Sequence, residues 1–292
     1  TTDSDALSYG LRGEAWVNDN LRIGASAQKH RDGVASLDSR GVDIFARADD
    51  QTWINIDIAE SKGQGANRAT SLNGGLEIDP AAPSNGGSDY ARAIDVQAQM
   101  DLARIGAKGS ASVYYQKRDA GFVSSDFDTA VGQTNYGGEV QFDQSENTQW
   151  SLSYDRFDDD DGKASETIRA GLSYRIADQD QLDVEIASED QATPNSTASD
   201  SNGRRINVAV KYTHTYNASD QVWIMGQGTV SSSGTMSDQN RLTVGGQVAL
   251  GKRSTLSGQV STDKSAELLW TRRPDDSTTY TMGYRLDPSN TT

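Results

Sequence analysis

The chain has 292 residues, a formal net charge of −15, no cysteine and only 34% apolar residues, with a mean hydropathy of −0.69. That charge argues against nucleic acid as a partner, because phosphates need a basic footprint, and the missing cysteine removes disulfides and thiol chemistry. No apolar run reaches the roughly 18 residues of a transmembrane-helix candidate, and no helix-period stretch competes with the alternation described next.

Alternation of apolar and polar residues marks about sixteen strand candidates in chain order. They run from Ala6 to Val17, Leu21 to His30, Gly41 to Asp49, Thr52 to Glu60, Tyr90 to Ala103, Ile105 to Lys117, Gly132 to Gln144 and Gln149 to Phe157. The second half continues with Glu166 to Ile176, Gln181 to Ser188, Arg205 to His214, Gln221 to Val230, Asn240 to Leu250, Ser254 to Ser261, Ala266 to Thr271 and Thr278 to Leu286. The hairpin from Gly41 to Glu60 shows the rule most plainly. Val42, Ile44, Ile54, Ile56 and Ile58 form one aliphatic face, while Asp43, Phe45, Trp53, Asn55 and Asp57 form the other.

Connections alternate between short ones, such as Asn18 to Asn20 and Asp50-Gln51, and longer ones rich in Gly, Ser, Asn and Asp. The spacing predicts long connections at Arg31 to Arg40, Ser61 to Asp89, Arg118 to Val131, Asp158 to Ser165, Glu189 to Arg204 and Ser231 to Gln239. Only Thr262 to Ser265 breaks the alternation. Arg104 alone is the expected link between the fifth and sixth strands. All five prolines fall in connections or beyond the last strand, where a missing N–H costs no ladder bond.

With the aliphatic phase taken as outward, eleven aromatic residues cluster at strand ends. Tyr9, Tyr90, Tyr115, Tyr136, Tyr154 and Tyr284 lie toward the long connections; Trp150, Tyr174, Tyr212, Trp270 and Tyr280 lie toward the short ones. These are the expected membrane-interface aromatics, bracketing an apolar band. Trp16, Trp53 and Trp223 fall in the inward phase near short turns.

The inward phase carries the expected lumen-lining set: Arg12, Glu14, Arg22, Asp43, Arg47, Asp57, Asp95, Asp101, Lys108, Glu139, Asp143, Asp155, Arg169, Arg175, Asp183, Glu185 and Lys211. So many charges would be ruinous in a dry core. In the water of a lumen they are ordinary, and a barrel of about sixteen strands is wide enough to hold water.

The pattern from Ala6 to Leu286 resembles Gram-negative outer-membrane β-barrels. The stretches YGGEVQFDQSENTQWSLSY (Tyr136 to Tyr154) and Gln221 to Leu286, closing on TTYTMGYRLDP, are similar to the barrel portions of very large surface proteins of such bacteria. The resemblance implies location and architecture only: an all-β, up-and-down antiparallel transmembrane barrel in the bacterial outer membrane, one domain over residues 1–292. An even strand count puts both termini on the long-connection rim, and the tail DPSNTT has no terminal aromatic. Both features depart from complete bacterial barrels and point to an excerpt of a larger barrel or one completed by other chains.

No nucleophile elbow, phosphate loop or dinucleotide fingerprint appears, so the chain is expected to be no enzyme and to need no cofactor. Asp158, Asp159, Asp160 and Asp161 form a weak candidate for a hard cation, as do Asp126 and Asp128, without the ligand spacing of a calcium loop; a solvated acidic loop is the plainer reading. His30 and His214 read as solvated strand-end residues. Expected partners are outer-membrane lipid and small hydrophilic solutes. The expected role is passive diffusion of those solutes with weak ion selectivity leaning to cations, or a surface-exposed scaffold. The rival reading is a soluble extracellular structural or adhesive sheet or solenoid, in which the aliphatic face meets a second layer of protein. The connection from Ser61 to Asp89 is the expected constriction.

Overall fold

The computed structural model describes residues 7–31, 36–63, 87–124, 128–275 and 277–287. Sixteen strands follow one another: β1 (Leu7–Asn18), β2 (Leu21–Arg31), β3 (Ser36–Asp49), β4 (Thr52–Gly63), β5 (Ala91–Asp101), β6 (Gly109–Arg118), β7 (Gln133–Ser145) and β8 (Thr148–Asp159). They continue with β9 (Ala164–Ala177), β10 (Asp180–Ala192), β11 (Gly203–Thr215), β12 (Gln221–Ser232), β13 (Arg241–Ala249), β14 (Ser254–Ser261), β15 (Ala266–Arg272) and β16 (Tyr280–Leu286). Each neighbours the next in chain order in one up-and-down sheet. Among the described residues β1 pairs only with β2 and β16 only with β15.

Two compact units divide the chain. The first comprises residues 1–106, 110–139 and 155–165; the second comprises 107–109, 140–154 and 166–292.

In the first unit the register places like on like. Ile44 faces Ile56, which faces Val96. On the opposite phase Asp43 faces Asp57, which faces Asp95. The second unit repeats the arrangement, with Val184 opposite Val210 and Asp183 opposite Lys211. Period two thus gives each unit one apolar and one polar face.

The apolar face is not covered. Ile44 is 41% exposed, Ile54 38% and Ile58 37%, and Val210, Ile224, Val244 and Leu268 are likewise exposed. The buried apolar residues among those described are Leu37, Ala91, Leu102, Phe122, Val123, Ala187 and Met236. Among the described residues no second layer lies on these aliphatic rows, contrary to what a soluble sandwich requires.

The structure corrects several boundaries. β3 begins at Ser36, not Gly41, because Leu37 takes the polar phase and is buried while Asp38 and Arg40 take the apolar phase. The inverted polarity hides the strand from a pattern search. β6 begins at Gly109, not Ile105. Asp101 caps a 3-10 turn over Leu102–Ile105 by accepting from the Ala103 N–H at 2.8 Å, and Gly106 closes it at φ +82°. Arg104 is therefore one residue of a longer connection, with its guanidinium on Asp49. Lys108 lies in that connection too, one residue before β6, and lines a depression with Asp143, Gln149, Ser173 and Arg175 of the polar phase.

Connection lengths also depart from the expected alternation. β8 and β9 extend until only 160–163 joins them, so a short hairpin stands where a long connection was expected; 102–108 and 273–279 are longer than expected. Most of the connection from Ser61 to Asp89, including residues 64–86, lies outside the described residues, and so do Pro80, Pro83 and Asp126.

Candidate functional site: the polar face and its folded loops

In the first unit the polar face begins with the pair Arg12 and Asp43, Nη2 to Oδ1 at 3.2 Å. Asp43 is 5% exposed. Its carboxylate lies across β2 because residue 24 is glycine; a side chain there would collide with both carboxylate oxygens. Glu14 bridges Arg12 and Arg22 at 3.8 Å each. Asn55 donates to Asp57 at 2.5 Å, Gln97 and Gln116 donate to Asp95, and the Tyr114 hydroxyl donates to Asp155 at 2.7 Å. The carboxylates are thus held mainly by amides, a phenol and a few arginines, which suits a wet face.

Near the short turns an aromatic cluster carries two cations. Trp16 meets Phe45 edge-on at 6.2 Å, and Phe45 lies 6.1 Å from Trp53. Arg22 sits over Phe45 at 5.4 Å and Arg47 over Trp16 at 5.1 Å. Both guanidiniums gain cation–π contact there.

In the second unit the polar face holds an open depression of about 380 Å³ whose lining includes Gln149, Ser173, Asp183, Glu185, Lys211 and Gln227. Ser173 donates to Asp183 at 2.6 Å, and Lys211 lies 5.4 Å from the Trp223 ring. Trp223 spreads over residue 245, where only a glycine leaves room for its indole. Asp143 accepts from Gln149 at 2.8 Å. Arg169 and Arg175 lie in the polar phase of their strand, as do Asp101 and Glu139 in the first unit.

The aromatics occupy the apolar phase. Tyr9, Tyr90, Tyr115, Trp150, Tyr174, Tyr212, Tyr280 and Tyr284 are exposed there, while Tyr136, Tyr154 and Trp270 are half-buried. Several have a polar partner at the edge of the aliphatic rows: the Tyr154 hydroxyl donates to Glu166 at 3.2 Å, Tyr212 to Asp180, and Trp150 Nε1 to Gln144 at 2.8 Å. His214 Nδ1 lies 2.7 Å from Asp180 and its ring meets Tyr216 edge-on, so it is a partnered residue rather than a free base.

No metal centre forms. Among the described residues no group of three or more His, Cys, Asp or Glu side chains is placed to hold an ion. The candidate run is spent on a turn. Asp158 is forked onto Arg156 at 2.8 and 2.9 Å, Asp159 accepts from the Lys163 N–H at 2.8 Å, and Gly162 turns at φ +85°. Asp160 and Asp161 are exposed and do not converge with them.

Three folded connections on the polar face, one in the first unit and two in the second, escaped the sequence reading. In the first unit, residues 119–124 and 128–132 pair with each other, and Phe122 and Val123 are buried. The Val123 N–H donates to the Ser61 hydroxyl at 2.9 Å, and Ser61 is fully buried. The apolar pair Phe122-Val123 was the available signal in that connection. In the second unit, the connections 193–202 and 233–240 lock onto Arg205, whose side chain is 6% exposed. Its Nη2 donates to Glu189 at 2.6 Å and its Nη1 to Asp200 at 2.8 Å and to the Ser237 carbonyl at 2.9 Å.

Asp200 also accepts from the Ser237 N–H at 3.0 Å and hydroxyl at 2.8 Å. The Ser237 backbone and hydroxyl first, and Arg205 after them, hold its carboxyl below the usual range. A depressed folded pKa stabilises above the unfolded value of about 3.9 and the gain is lost as pH falls through the folded one. Amide exchange in 193–202 and 233–240 is therefore expected to stay slow down to about pH 4 and to accelerate below it. Asp200→Asn should remove that acid-side step.

No family model matches the chain, and no curated protein does. Among solved structures it is similar to a bacterial polysaccharide outer membrane secretin, with TM-score 0.42 and 11% identity over 97% of this chain and 91% of that one. It is also similar to the ferric-catecholate import receptor Fiu from E. coli K12 in its open form, with TM-score 0.47 and 11% identity over 96% of this chain and 64% of that one. A mutant ferric enterobactin receptor, PfeA, from Pseudomonas aeruginosa gives TM-score 0.37 and 10% identity over 94% and 63%. The chain spans under two thirds of the length of these two receptors.

Proposed function

We propose that the chain is a non-enzymatic outer-membrane β-barrel, or a large part of one, whose polar face lines a water-filled passage for small hydrophilic solutes. The observation that carries this is the uncovered aliphatic face, present on both units and bordered by tyrosines and tryptophans. A contiguous apolar surface of that extent needs an apolar partner, and hydrocarbon is one that tilted strands of this length can span. An open ladder edge cannot sit in hydrocarbon, so the edges of β1 and β16 must be paired in the membrane, with each other, with further strands of a larger barrel or with strands of another chain.

The polar face supports transport rather than chemistry, because its carboxylates are dispersed along ladders and paired with amides and arginines instead of converging. Near balance of acids and bases on that face predicts weak selectivity with a cation lean. Reconstitution into planar bilayers tests it. Step conductances with weak cation preference are the expected result; recovery without detergent, or no conductance from inserted protein, would sink the channel. Val123 is held on Ser61 of the polar phase of β4, so Phe122→Ser combined with Val123→Ser should release that contact and raise the conductance per step without lowering insertion.

A further inference from the structure

We propose that the apolar-phase ends of β2 to β6, beside the long connections, form a docking belt for the phosphate head of an anionic membrane lipid. The inference rests on the membrane reading above and adds the headgroup chemistry and the residues that meet it. Beyond the aliphatic rows the same strand phase turns cationic. Lys29, Arg40, Lys62, Arg92 and Lys117 occupy it, against the carboxylates Asp38, Glu60 and Asp119, the last paired with Lys117. In a chain of net charge −15, that local excess of positive charge runs against the composition.

The cations are arranged, not scattered. Arg40, Glu60 and Arg92 stand directly opposite one another on β3, β4 and β5. One oxygen of Glu60 accepts from Arg40 Nε and Nη2 at 3.1 and 2.8 Å. The other accepts from Arg92 Nε and Nη2 at 3.3 and 2.9 Å. A single carboxylate thereby fixes two guanidiniums side by side, and both remain more than half exposed, at 60% and 57%. Tyr90 holds a second pair, with Arg40 Cζ and Lys62 Nζ each 4.6 Å from its ring centre.

What covers this belt must satisfy two surfaces at once. Two residues along β3, β4 and β5 from the guanidinium pair and its carboxylate, on the same face, lie Val42, Ile58 and Ile94. A soluble anion would engage the cations and leave that band wet. An amphiphile with a phosphate head and acyl tails engages both, since guanidinium forks match phosphate oxygens and basic side chains at a bilayer surface attract anionic lipid. The inverted polarity of Ser36 to Arg40, which breaks the alternation of β3, is what places Arg40 here.

The test uses the intact chain in vesicles that mix phosphatidylglycerol with phosphatidylcholine, and reads the association of each spin-labelled lipid with the protein. The wild type should select phosphatidylglycerol, and R40Q combined with R92Q should lose about fivefold in that selectivity for each cation removed. K62Q with K117Q leaves Glu60 paired and should lose selectivity in the same way, which guards against a fold defect in the arginine variant. K252Q with R253Q, in the connection between β13 and β14, should change nothing.

Insertion with equal preference for both lipids overturns the belt alone. Failure to float with the vesicles overturns the membrane reading beneath it. Loss of the preference on adding inorganic phosphate at the concentration of lipid phosphate, with ionic strength held constant, overturns the amphiphile in favour of a soluble anion.

Discussion

Replacing Ile56 with arginine is expected to cost about 2–4 kcal/mol in protein folded in lipid vesicles, the range for a cation near the bilayer midplane of a barrel. Ile56 is the middle residue of the row Ile54, Ile56, Ile58 and faces Ile44 and Val96 across the ladders. Among the described residues no second layer covers that row, with Ile54 and Ile58 exposed and Ile56 half-buried, so the penalty is expected to come mainly from the surrounding medium. Gln99→Lys on the polar face of β5 is the paired control and should stay within about 0.5 kcal/mol, the usual range for a solvated surface change. Urea unfolding from vesicles measures both. If the two substitutions proved equally mild, the aliphatic face would be touching water and the barrel reading would fall.

Arg205→Ala should destabilise the second unit by up to about 3–5 kcal/mol, because one side chain holds three groups that would be left without it. Glu189 loses its guanidinium, Asp200 loses one of its partners, and the Ser237 carbonyl loses a donor. Limited proteolysis should show the effect locally, as new cleavage within 193–202 and 233–240. Adding Glu189→Gln to Arg205→Met should recover part of the loss, since removing both members of a buried pair costs less than orphaning one. Recovery by neither stability nor protease resistance would show that Arg205 does not clamp these loops.

The two predictions probe opposite faces of one sheet, and how readily each face could be read differs for a physical reason. Rows such as Ile54, Ile56 and Ile58 declare themselves because a strand repeats every two residues, so one face gathers every second side chain whatever the register. The strand-end aromatics, the polar-phase tryptophans Trp16, Trp53 and Trp223, and most of the charged polar-phase set follow from that parity.

The reading failed where the parity carries the opposite polarity or a local hydrogen bond intervenes. Ser36 to Arg40 is strand with Leu37 on the polar side and Arg40 on the apolar side, so an alternation search sees a loop. Ile105 continues the expected phase, yet Asp101 caps a turn and Gly106 leaves it in the left-handed region, so β6 begins only at Gly109. The acidic run Asp158 to Asp161 invites a cation by composition. Its first two carboxylates are taken by Arg156 and by the Lys163 N–H, partners within a few residues that the extension of β8 and β9 brings into place.

By itself the amino-acid order determined the antiparallel up-and-down sheet of sixteen strands, its two unlike faces and the residues belonging to each, because strand parity is a property of neighbours along the chain. Only the tertiary structure decided that the aliphatic rows stand bare, that Phe122-Val123 folds onto Ser61, and that Glu60 gathers Arg40 and Arg92. Those contacts join residues from about twenty to more than sixty positions apart, and the register that brings them together is set by every ladder between them.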